Sequence, residues 1–334
     1  MTSATEHAGF QKLRWIMNGT AAALLCAVVT GAAAAYPDRP IRLIVPSPPG
    51  GGTDASTRAI VPKLGEFLNQ HIVVDNRGGA SGNLGAEIAA RAPADGYTLL
   101  AIIASHTSNP AVMRKVSFSL ARDFAPISRT VTLPNLVVTH PAIPAKSTKE
   151  LIAYIQGRPG KVQFASGGIG SIQHFAMELF VHMAKLKMIH VPYKGVGPAT
   201  SDVVGGHVPM LAANILTLLP HVKAGRLRAH GVTGLKRSIA APDIPTIAES
   251  GGLPGYEAVQ WYGLVAPAGT PPAIVKQLHA AVVKVLNDPE VKQRFQKGGA
   301  EPTPSASPEA YARLIRSELA KWAGVAKAAG IKPE

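Results

Sequence analysis

The stretch IRLIVPSPPGGGTDASTRAIVPKLGEFL, residues 41–68, decides the fold of this chain. Four of the first five residues, 41–45, have branched apolar side chains, with Arg42 between them, and this pattern predicts a strand. A loop rich in proline and glycine follows at residues 46–52, and apolar positions then recur at helical spacing over residues 53–68. A strand that leads through a glycine turn into a helix is the basic unit of a parallel α/β sheet.

The same alternation continues along the chain. In the first series we predict strands at 71–74 and 97–103 with a helix at 84–91. After an extended passage at 123–140, a second series predicts strands at 136–139, 161–165, 188–191, 208–212 and 228–233. The helices predicted between them lie at 149–156 (with Ser147 or Thr148 as N-cap), at 171–185, from Pro198 onward and at 217–223.

A second extended passage, residues 255–267, precedes a helical tail at 271–332. The tail has no strand–helix alternation of its own, so we expect it to pack back onto the first series. The fold class predicted is therefore α/β, with two α/β lobes joined by two extended crossings. Lobe one comprises residues 36–133 plus 256–334, and lobe two comprises residues 134–255.

The N-terminus has the features of a secretory signal. Lys12 and Arg14 precede a short apolar run at 21–29, which ends in the small residues Ala32–Ala35. This run is shorter than the roughly 20 apolar residues that a spanning helix needs. An uncleaved membrane anchor is the alternative. We predict a signal peptide at 1–35, cleavage after Ala35 and a mature protein in the periplasm.

Composition and motif content indicate which kinds of partner and covalent modification to expect. The formal net charge is +14, but lysine and arginine are scattered, and aromatic residues make up only 5%, so we expect no nucleic-acid partner. Cys26, the single cysteine, lies inside the predicted signal and follows Leu25, so we expect neither a disulfide nor lipidation. The histidines include no H-E-x-x-H motif, and we predict no metal and no cofactor.

Three glycine-rich turns, residues 49–54, 166–171 and 194–198, each connect a strand to a helix. Glycine lets a ligand approach the main chain closely, and the first N–H groups of a helix attract anions. If the lobes face each other, the turns converge on one cleft that suits a carboxylate without an arginine. The alternative is that the glycines only make tight turns. None of the turns matches a dinucleotide fingerprint or a P-loop.

Five side chains allow more than one interpretation. Asp54 is a candidate acid or metal ligand, but at a helix start we expect it to serve local N–H groups. Ser171 and His174 could form a nucleophile and base, yet no G-x-S-x-G elbow is present, so a hydrogen-bonding role in the cleft or packing between the lobes is favoured. Trp261 and Tyr262 either line the cleft or belong to the core, and the sequence leaves this open.

Several strings together resemble a known family, the Bug-type extracytoplasmic receptors of tripartite tricarboxylate transporters. The resemblance covers about residues 36–334. Its strings are YPDRPI (36–41), PGGGTD (49–54), DNR (75–77), GNLG (82–85), DGYTLL (95–100), QH (173–174), HVPYKG (190–195), PDIPT (242–246) and APAGTPP (266–272).

The resemblance implies a type II periplasmic-binding-protein fold with Venus-flytrap closure. It implies a non-enzymatic receptor that binds a small organic carboxylate and delivers it to membrane permease subunits; we expect a monomer. Carried over by position, the implied ligand-binding residues are Ser47, Pro49, Gly50, Gly51, Gly52, Thr53, Asp54, Ser105, His106, Ser166, Gly167, Gly168, Ile169, Gly170, Ser171, Tyr193, Gly195, Gly197 and Asn214.

Three positions depart from the family pattern. Ser47 stands where an aromatic residue is frequent, Ala213 where many members have an aspartate, and Ile169 where a polar residue is common. An aspartate would pair with a ligand amine, so its absence favours a carboxylate without an ammonium group. Two other functions remain open at this point: a ligand sensor for a membrane histidine kinase, and a secreted serine hydrolase that uses Ser171 and His174.

Overall fold

The computed structural model describes residues 36–50, 52–79, 82–297, 299–331 and 333. The predicted signal peptide lies outside the described residues. In chain order the strands are β1 (Ile41–Val45), β2 (Ile72–Asn76), β3 (Thr98–Ile103), β4 (Phe124–Leu133), β5 (Asn135–Thr139), β6 (Gln163–Ser166), β7 (Ile189–Pro192), β8 (Met210–Asn214), β9 (Arg228–Val232), β10 (Gln260–Pro267) and β11 (Glu301–Pro302).

Helices lie between most of these strands. They are α1 (Gly52–Leu68), α2 (Asn83–Ala90), α3 (Ser105–Ser108), α4 (Thr148–Gln156), α5 (Ile172–Met183), α6 (Val196–Val204), α7 (Ile215–Lys223), α8 (Ile247–Gly251), α9 (Pro272–Asn287), α10 (Pro289–Lys297) and α11 (Pro308–Ala328). Ser147 is the N-cap of α4, because its hydroxyl accepts a hydrogen bond from the Glu150 N–H.

The first sheet has the strand order β11-β4-β10-β3-β1-β2. β1 pairs in parallel with β2 and β3, and Leu43 lies opposite Val74 and Leu99. β10 comes from late in the chain, yet it is inserted antiparallel between β3 and β4. All 8 residues of β10 are buried. A strand from the second crossing thus forms the centre of this sheet.

The second sheet has the order β7-β6-β8-β5-β9. β6 pairs in parallel with β7 and β8, whereas β5 runs antiparallel to β8 and β9. All its strands lie within residues 135–232, and those of the first sheet lie within 41–133 and 260–302. The exact lobe boundaries stay a prediction.

The two connections between the sheets are tied to each other. Pro134 alone separates β4 from β5. Next to it, the fully buried Asn135 donates its backbone N–H to Thr233 Oγ1 at 2.9 Å and its side-chain amide to the Ala258 carbonyl at 3.0 Å. The Thr233 hydroxyl donates to the same Ala258 carbonyl at 2.8 Å. Both crossings therefore share one buried hydrogen-bonded network.

The helical tail covers the first sheet and also reaches the second. α9 and α11 contact β4, and α11 further contacts α5. There the Trp322 ring meets the Phe175 ring edge to face, with centroids 5.5 Å apart. Ser307 caps α11, since its Oγ accepts from the Ala310 N–H at 3.1 Å, and Pro308 occupies the first helical position. In addition to the two crossings, α11 thus connects the layer formed by the first sheet and its helices with the layer formed by the second sheet and its helices.

The predicted start of α6 at Pro198 is wrong by two residues. The helix begins at Val196, with Gly195 as N-cap at a φ of 119°. This conformation favours glycine and turns the chain into the helix early. Pro198 is still in the first turn, where its missing N–H removes no intrahelical bond.

Two buried histidines should make the protein sensitive to mild acid. Burial lowers the pKa of His106 and that of His230 from 6.5 to about 4, and both side chains are almost fully buried. Both stay neutral in the native state, whereas the unfolded chain takes up protons below pH 6.5. Stability is thus lost as pH falls from 6.5 towards 4, by about 2 kcal/mol per histidine at pH 5.

Denaturant unfolding at pH 7.5 and pH 5 checks this expectation. An unfolding free energy that does not change between these pH values would contradict it. The variant His230→Asn should have a shallower pH dependence than the wild type, because one group with a depressed pKa is gone.

Candidate functional site

A cavity of about 760 Å³ is lined by residues from both layers of the fold. Its volume falls within the range of small-molecule sites, roughly 300–1,000 Å³. The lining residues that belong with the first sheet are Gly50, Gly52, Asp54, Ala55, Ser56, Arg58, Ala59, Ile103, Ser105, Leu133, Gln260, Tyr262, Arg294, Phe295 and Ala300. Those that belong with the second sheet are Gln173, Asn214, Leu216 and Thr217.

Asp54 organises the turn between β1 and α1. Its side chain is only 3% exposed, and its carboxylate accepts from the Gly50 N–H at 2.9 Å and from Asn76 Nδ2 at 2.9 Å. Asn76 Nδ2 also donates to the Ser47 carbonyl at 3.0 Å. Arg58, one helical turn further on, donates its Nε to Asp54 Oδ1 at 2.9 Å. The first glycine turn is therefore held rigidly against α1.

The charge of Asp54 is stable at neutral pH and already compensated. Burial by itself would raise its pKa, but hydrogen bonds from Arg58, Gly50 and Asn76 outweigh burial and lower the pKa below the ordinary 3.8. Asp54 thus serves a local N–H group, as expected. The sequence had not indicated that Arg58 would neutralise it.

The beginning of α1 is the anion-favouring end of the cavity. The first N–H groups of a helix have no acceptor within the helix, and the helix dipole places partial positive charge there. Gly52, the first helical residue, lines the cavity. The N–H of Gly50 is already used by Asp54, so the amides at the start of α1, rather than the whole turn, are the groups that can meet a ligand.

Tyr262 forms a neutral wall beside this helix start. Burial raises its pKa to about 12, against a hydrogen bond with Thr53 that lowers it. A Cβ at Gly52 would lie 2.8 Å from the Tyr262 hydroxyl, so only glycine leaves room for this approach. Trp261, by contrast, is core: it is 1% exposed and meets Tyr311 edge to face. Of the two alternatives that the sequence left open, Tyr262 lines the cavity and Trp261 belongs to the core.

The two layers touch at the rim of the cavity. Gly299, between α10 and β11, has a φ of 60°, and a Cβ on it would lie 2.6 Å from Leu216 Cδ2 and 3.4 Å from the Ala240 Cβ. Leu216 and Ala240 belong to the segment of the second sheet, and Leu216 itself lines the cavity. The first layer therefore contacts the second directly across this rim.

The second and third glycine turns are hydrogen-bonded to each other, and their residues are not among those that line the cavity. The Gly195 N–H donates to the Gly167 carbonyl at 3.1 Å. The Gly168 N–H donates to Ser166 Oγ at 3.1 Å, and the Gly170 N–H to His174 Nδ1 at 3.4 Å. These three amides are therefore used by the protein itself, and whether the three turns converge on one ligand stays a prediction.

Ser171 and His174 do not form a nucleophile–base pair. The Ser171 hydroxyl donates to the Gly168 carbonyl at 2.7 Å and caps α5 by accepting from the His174 backbone N–H. The His174 ring accepts from Gly170, stacks on the His190 ring at 3.9 Å and lies 3.5 Å from Glu178. Both side chains have structural roles at this helix start.

The structure brings part of the implied binding set to the cavity. Those that line it are Gly50, Gly52, Asp54, Ser105 and Asn214. Gly51 lies outside the described residues. Implied residues that are not among those lining the cavity are Ser47, Pro49, Thr53, His106, Ser166, Gly167, Gly168, Ile169, Gly170, Ser171, Tyr193, Gly195 and Gly197. Their role in binding stays a prediction.

Sequence reasoning missed the cationic and much of the apolar lining. Arg58 follows Asp54 by one turn, a spacing that could have indicated an ion pair. Gln173 stands in one of the family strings, and Gln260 in the second crossing, but neither was chosen. Arg294 and Phe295 come from the tail, where the sequence offers no signal for a site.

Other classes of site find no support in the described part of the chain. Within it, no group of three or more His, Cys, Asp or Glu side chains is arranged to hold a metal ion. Among the same residues, no helix combines the length and apolar character needed to cross a bilayer.

Comparison with known proteins agrees with this picture. A profile described as "Tripartite tricarboxylate transporter family receptor" matches residues 57–331. Protein BugT of Bordetella pertussis is 37% identical over 302 residues, which cover 89% of this chain and 91% of that protein.

Two solved structures are also similar. R. palustris Rpa4515 with adipate is 36% identical with a TM-score of 0.78, and the match covers 90% of this chain and 100% of that one. MatC (Rpa3494) from Rhodopseudomonas palustris with bound malate is 31% identical with a TM-score of 0.74, and the match covers 87% and 100% of the two chains.

The fold, the cavity and these relatives together define the class of the protein, a two-lobe solute-binding receptor of the periplasmic type. The predicted fold class is confirmed, since a related structure of this fold superposes over 90% of this chain. The chain belongs to the tripartite tricarboxylate transporter receptor family, which includes the Bug proteins.

Proposed function

We propose that this protein captures a small organic carboxylate in the cavity between its layers and delivers it to the permease subunits of a tripartite tricarboxylate-type transporter. The observation that carries the proposal is the start of α1 at the cavity wall, beside Asp54, whose charge is already neutralised. Arg58 and Arg294 line the same cavity, so its charged side chains favour an anion.

The ligand we propose has no ammonium group. An ammonium needs a free carboxylate partner, and Asp54 is the one acidic residue among those lining the cavity. Its oxygens already accept from Gly50, Asn76 and Arg58. The apolar lining, which includes Leu133, Leu216 and Phe295, suits a carbon chain. The adipate of the Rpa4515 structure and the malate of the MatC structure belong to this chemical class.

Capture would work by closure of the two lobes. A ligand that contacts both Gly52 in the first layer and Asn214 in the second stabilises the state in which the layers face each other. The buried network of Asn135, Thr233 and Ala258 ties the crossings together, so it would act as the pivot. The permease would recognise the closed, monomeric form in the periplasm, after removal of residues 1–35.

A ligand screen with a cavity-filling variant tests the proposal. Organic acids at 100 times their dissociation constant should stabilise the mature protein by about 2.7 kcal/mol, which a thermal-shift assay detects. Ala55 is exposed and lines the cavity, so Ala55→Trp should abolish this stabilisation without unfolding the protein. Ala273→Trp, at an exposed position of α9, is the matched control and should bind as the wild type does.

Two outcomes would speak against the proposal. One is a broad set of organic acids, none of which stabilises the wild type. The other is a bound acid whose effect survives Ala55→Trp, because the ligand would then lie elsewhere. N-terminal sequencing of the secreted protein tests the removal of residues 1–35. Light scattering tests whether the protein is a monomer. Co-purification of ligand-loaded protein with membrane permeases tests the proposed partner.

A further inference from the structure

Arg294 on α10 lies at the cavity wall and has no ion-pair partner among the described residues. Its side chain is exposed and lines the cavity. Among the residues that the structure describes, no acidic side chain forms an ion pair with it. Arg58 differs, because Asp54 and Asn76 hold its guanidinium at 2.9 and 3.1 Å. Of the two arginines at the cavity, only Arg294 therefore has its whole guanidinium available for a ligand.

The packing of α10 on α1 places Arg294 away from the start of α1. The two helices contact each other, and Lys63 Nζ lies 3.9 Å from Glu290 Oε2. One turn towards the cavity from this pair leads to Ala59 on α1 and to Arg294 on α10, and both line the cavity. The spacing along both helices therefore indicates that Arg294 is nearer to Ala59 than to Gly52.

The cavity therefore has two separate ends that attract an anion. It follows α1 from Gly52 to Ala59, a distance of about 10 Å at 1.5 Å per residue. The helix amides lie at the Gly52 end and the free guanidinium at the other. Leu133, Leu216 and Phe295 supply apolar lining, which a hydrocarbon spacer can contact.

We propose that Arg294 is a specificity-determining residue: it binds the second carboxylate of a dicarboxylate whose first carboxylate lies at the start of α1. This inference rests on the proposed function. A guanidinium binds a carboxylate through two parallel hydrogen bonds, and an ammonium cannot reproduce that geometry. Arg294 thereby makes the protein prefer dianionic over monoanionic acids of the same chain length.

Isothermal titration of the mature protein with matched acid pairs tests the inference. The probes are straight-chain dicarboxylates from succinate to suberate and the monocarboxylates of equal length, such as adipate with hexanoate. For the preferred dicarboxylate, Arg294→Gln should weaken binding about tenfold, the effect of one lost charge-assisted hydrogen bond. Binding of the matched monocarboxylate should change by less than about twofold.

Two further variants make the result specific. Lys297→Gln removes a positive charge from an exposed position on the same helix that is not among the residues lining the cavity, and it should leave both affinities unchanged. Arg294→Lys keeps the charge but loses the planar fork, so its dicarboxylate affinity should lie between those of wild type and Arg294→Gln. High salt should weaken dicarboxylate binding more in the wild type than in Arg294→Gln.

The outcomes separate this inference from the proposed function. If no carboxylate binds the wild type, the proposed function fails. If carboxylates bind the wild type, two results with Arg294→Gln refute the role of Arg294 while the receptor function stands. One is an unchanged preference for the dicarboxylate, and the other is an equal loss of affinity for the dicarboxylate and the monocarboxylate.

Discussion

Replacing Gly263 by alanine is expected to destabilise the protein by at least about 3 kcal/mol. Gly263 lies in the middle of β10, where it pairs with Ile102 on β3 and Arg129 on β4. A Cβ at this position would overlap the Tyr311 hydroxyl and lie 2.8 Å from the Ser128 carbonyl. Overpacking of a dense core costs about 1–3 kcal/mol or more, and here neither neighbour can move freely.

The surroundings of Tyr311 explain this lack of freedom. Its side chain is completely buried on α11 and packs edge to face against Trp261. Further along α11, Glu318 accepts from the Trp322 indole at 3.0 Å and from the Trp261 indole at 3.5 Å. A shift of Tyr311 would therefore disturb the contact between α11 and β10 along its length.

Denaturant unfolding measures the effect, and Gly324 supplies the control. Gly324 lies inside α11, is exposed and has open space around its Cα. Gly324→Ala should therefore stabilise the protein by about 0.5–1 kcal/mol. Combining Gly263→Ala with Tyr311→Phe should recover part of the loss, because the overlapping hydroxyl is removed. A Gly263→Ala protein within about 1 kcal/mol of wild type would refute this account of the β10–α11 contact.

Replacing Asp54 by alanine should affect both stability and ligand binding. The change leaves the Gly50 N–H without its acceptor, leaves Asn76 Nδ2 with the Ser47 carbonyl alone, and removes the ion-pair partner of Arg58. An unsatisfied buried donor costs about 1–3 kcal/mol, and because these two hydrogen bonds are only partly buried, each loss lies towards the lower end of that range. Arg58 is half exposed, so its part is screened by solvent. We expect the free energy of unfolding at pH 7 to fall by about 2–3 kcal/mol. Because the turn at residues 49–54 would lose its hydrogen bonds to Asp54, we also expect carboxylate affinity to fall by about tenfold or more.

The pH dependence of this variant has a defined sign. The pKa of Asp54 is lowered in the folded state, so its contribution is fully present above the ordinary value of 3.8 and is lost as pH falls through the folded pKa. The difference between wild type and Asp54→Ala should therefore be constant above about pH 5 and shrink below 3.8. A difference that grows in acid would contradict the proposed hydrogen bonding.

Asp123 provides the matched control for Asp54→Ala. It also accepts from a backbone N–H, that of Ser119, and pairs with an arginine, Arg122. Asp123 lies just before β4, at the end opposite Leu133, which lines the cavity. Asp123→Ala should therefore cost some stability but leave carboxylate affinity unchanged. Loss of carboxylate affinity in both variants would mean that Asp54→Ala acts through a general loss of stability and not through the turn at the cavity.

Much of the fold could be predicted because its signals are local. The apolar run at 41–45 and the helical spacing at 53–68 each depend on neighbours within a few residues. The position of β11 could not be predicted in this way, because a two-residue strand has no periodicity. Nor could the start of α6, which depends on the conformation of Gly195.

The candidate site was predicted unevenly for a related reason. The first turn was expected at the cavity because it follows a buried strand at the start of a helix. The second and third turns have the same local pattern, but several of their amides are used by the protein itself, for example in the Gly195–Gly167 hydrogen bond. Such pairs join residues of different loops, and a local pattern does not reveal whether an amide is already used.

The sequence by itself determined the α/β class, the two crossings, the family and the anion-favouring start of α1, because propensity, periodicity and helix-end charge act between near neighbours. Only the tertiary structure decided that β10 lies between β3 and β4, that Asp54 is neutralised by Arg58 and bound by Asn76, and that Arg294 from the tail reaches the cavity. These arrangements depend on packing between segments that are distant along the chain, and the energy of such contacts is defined only once the chain is folded.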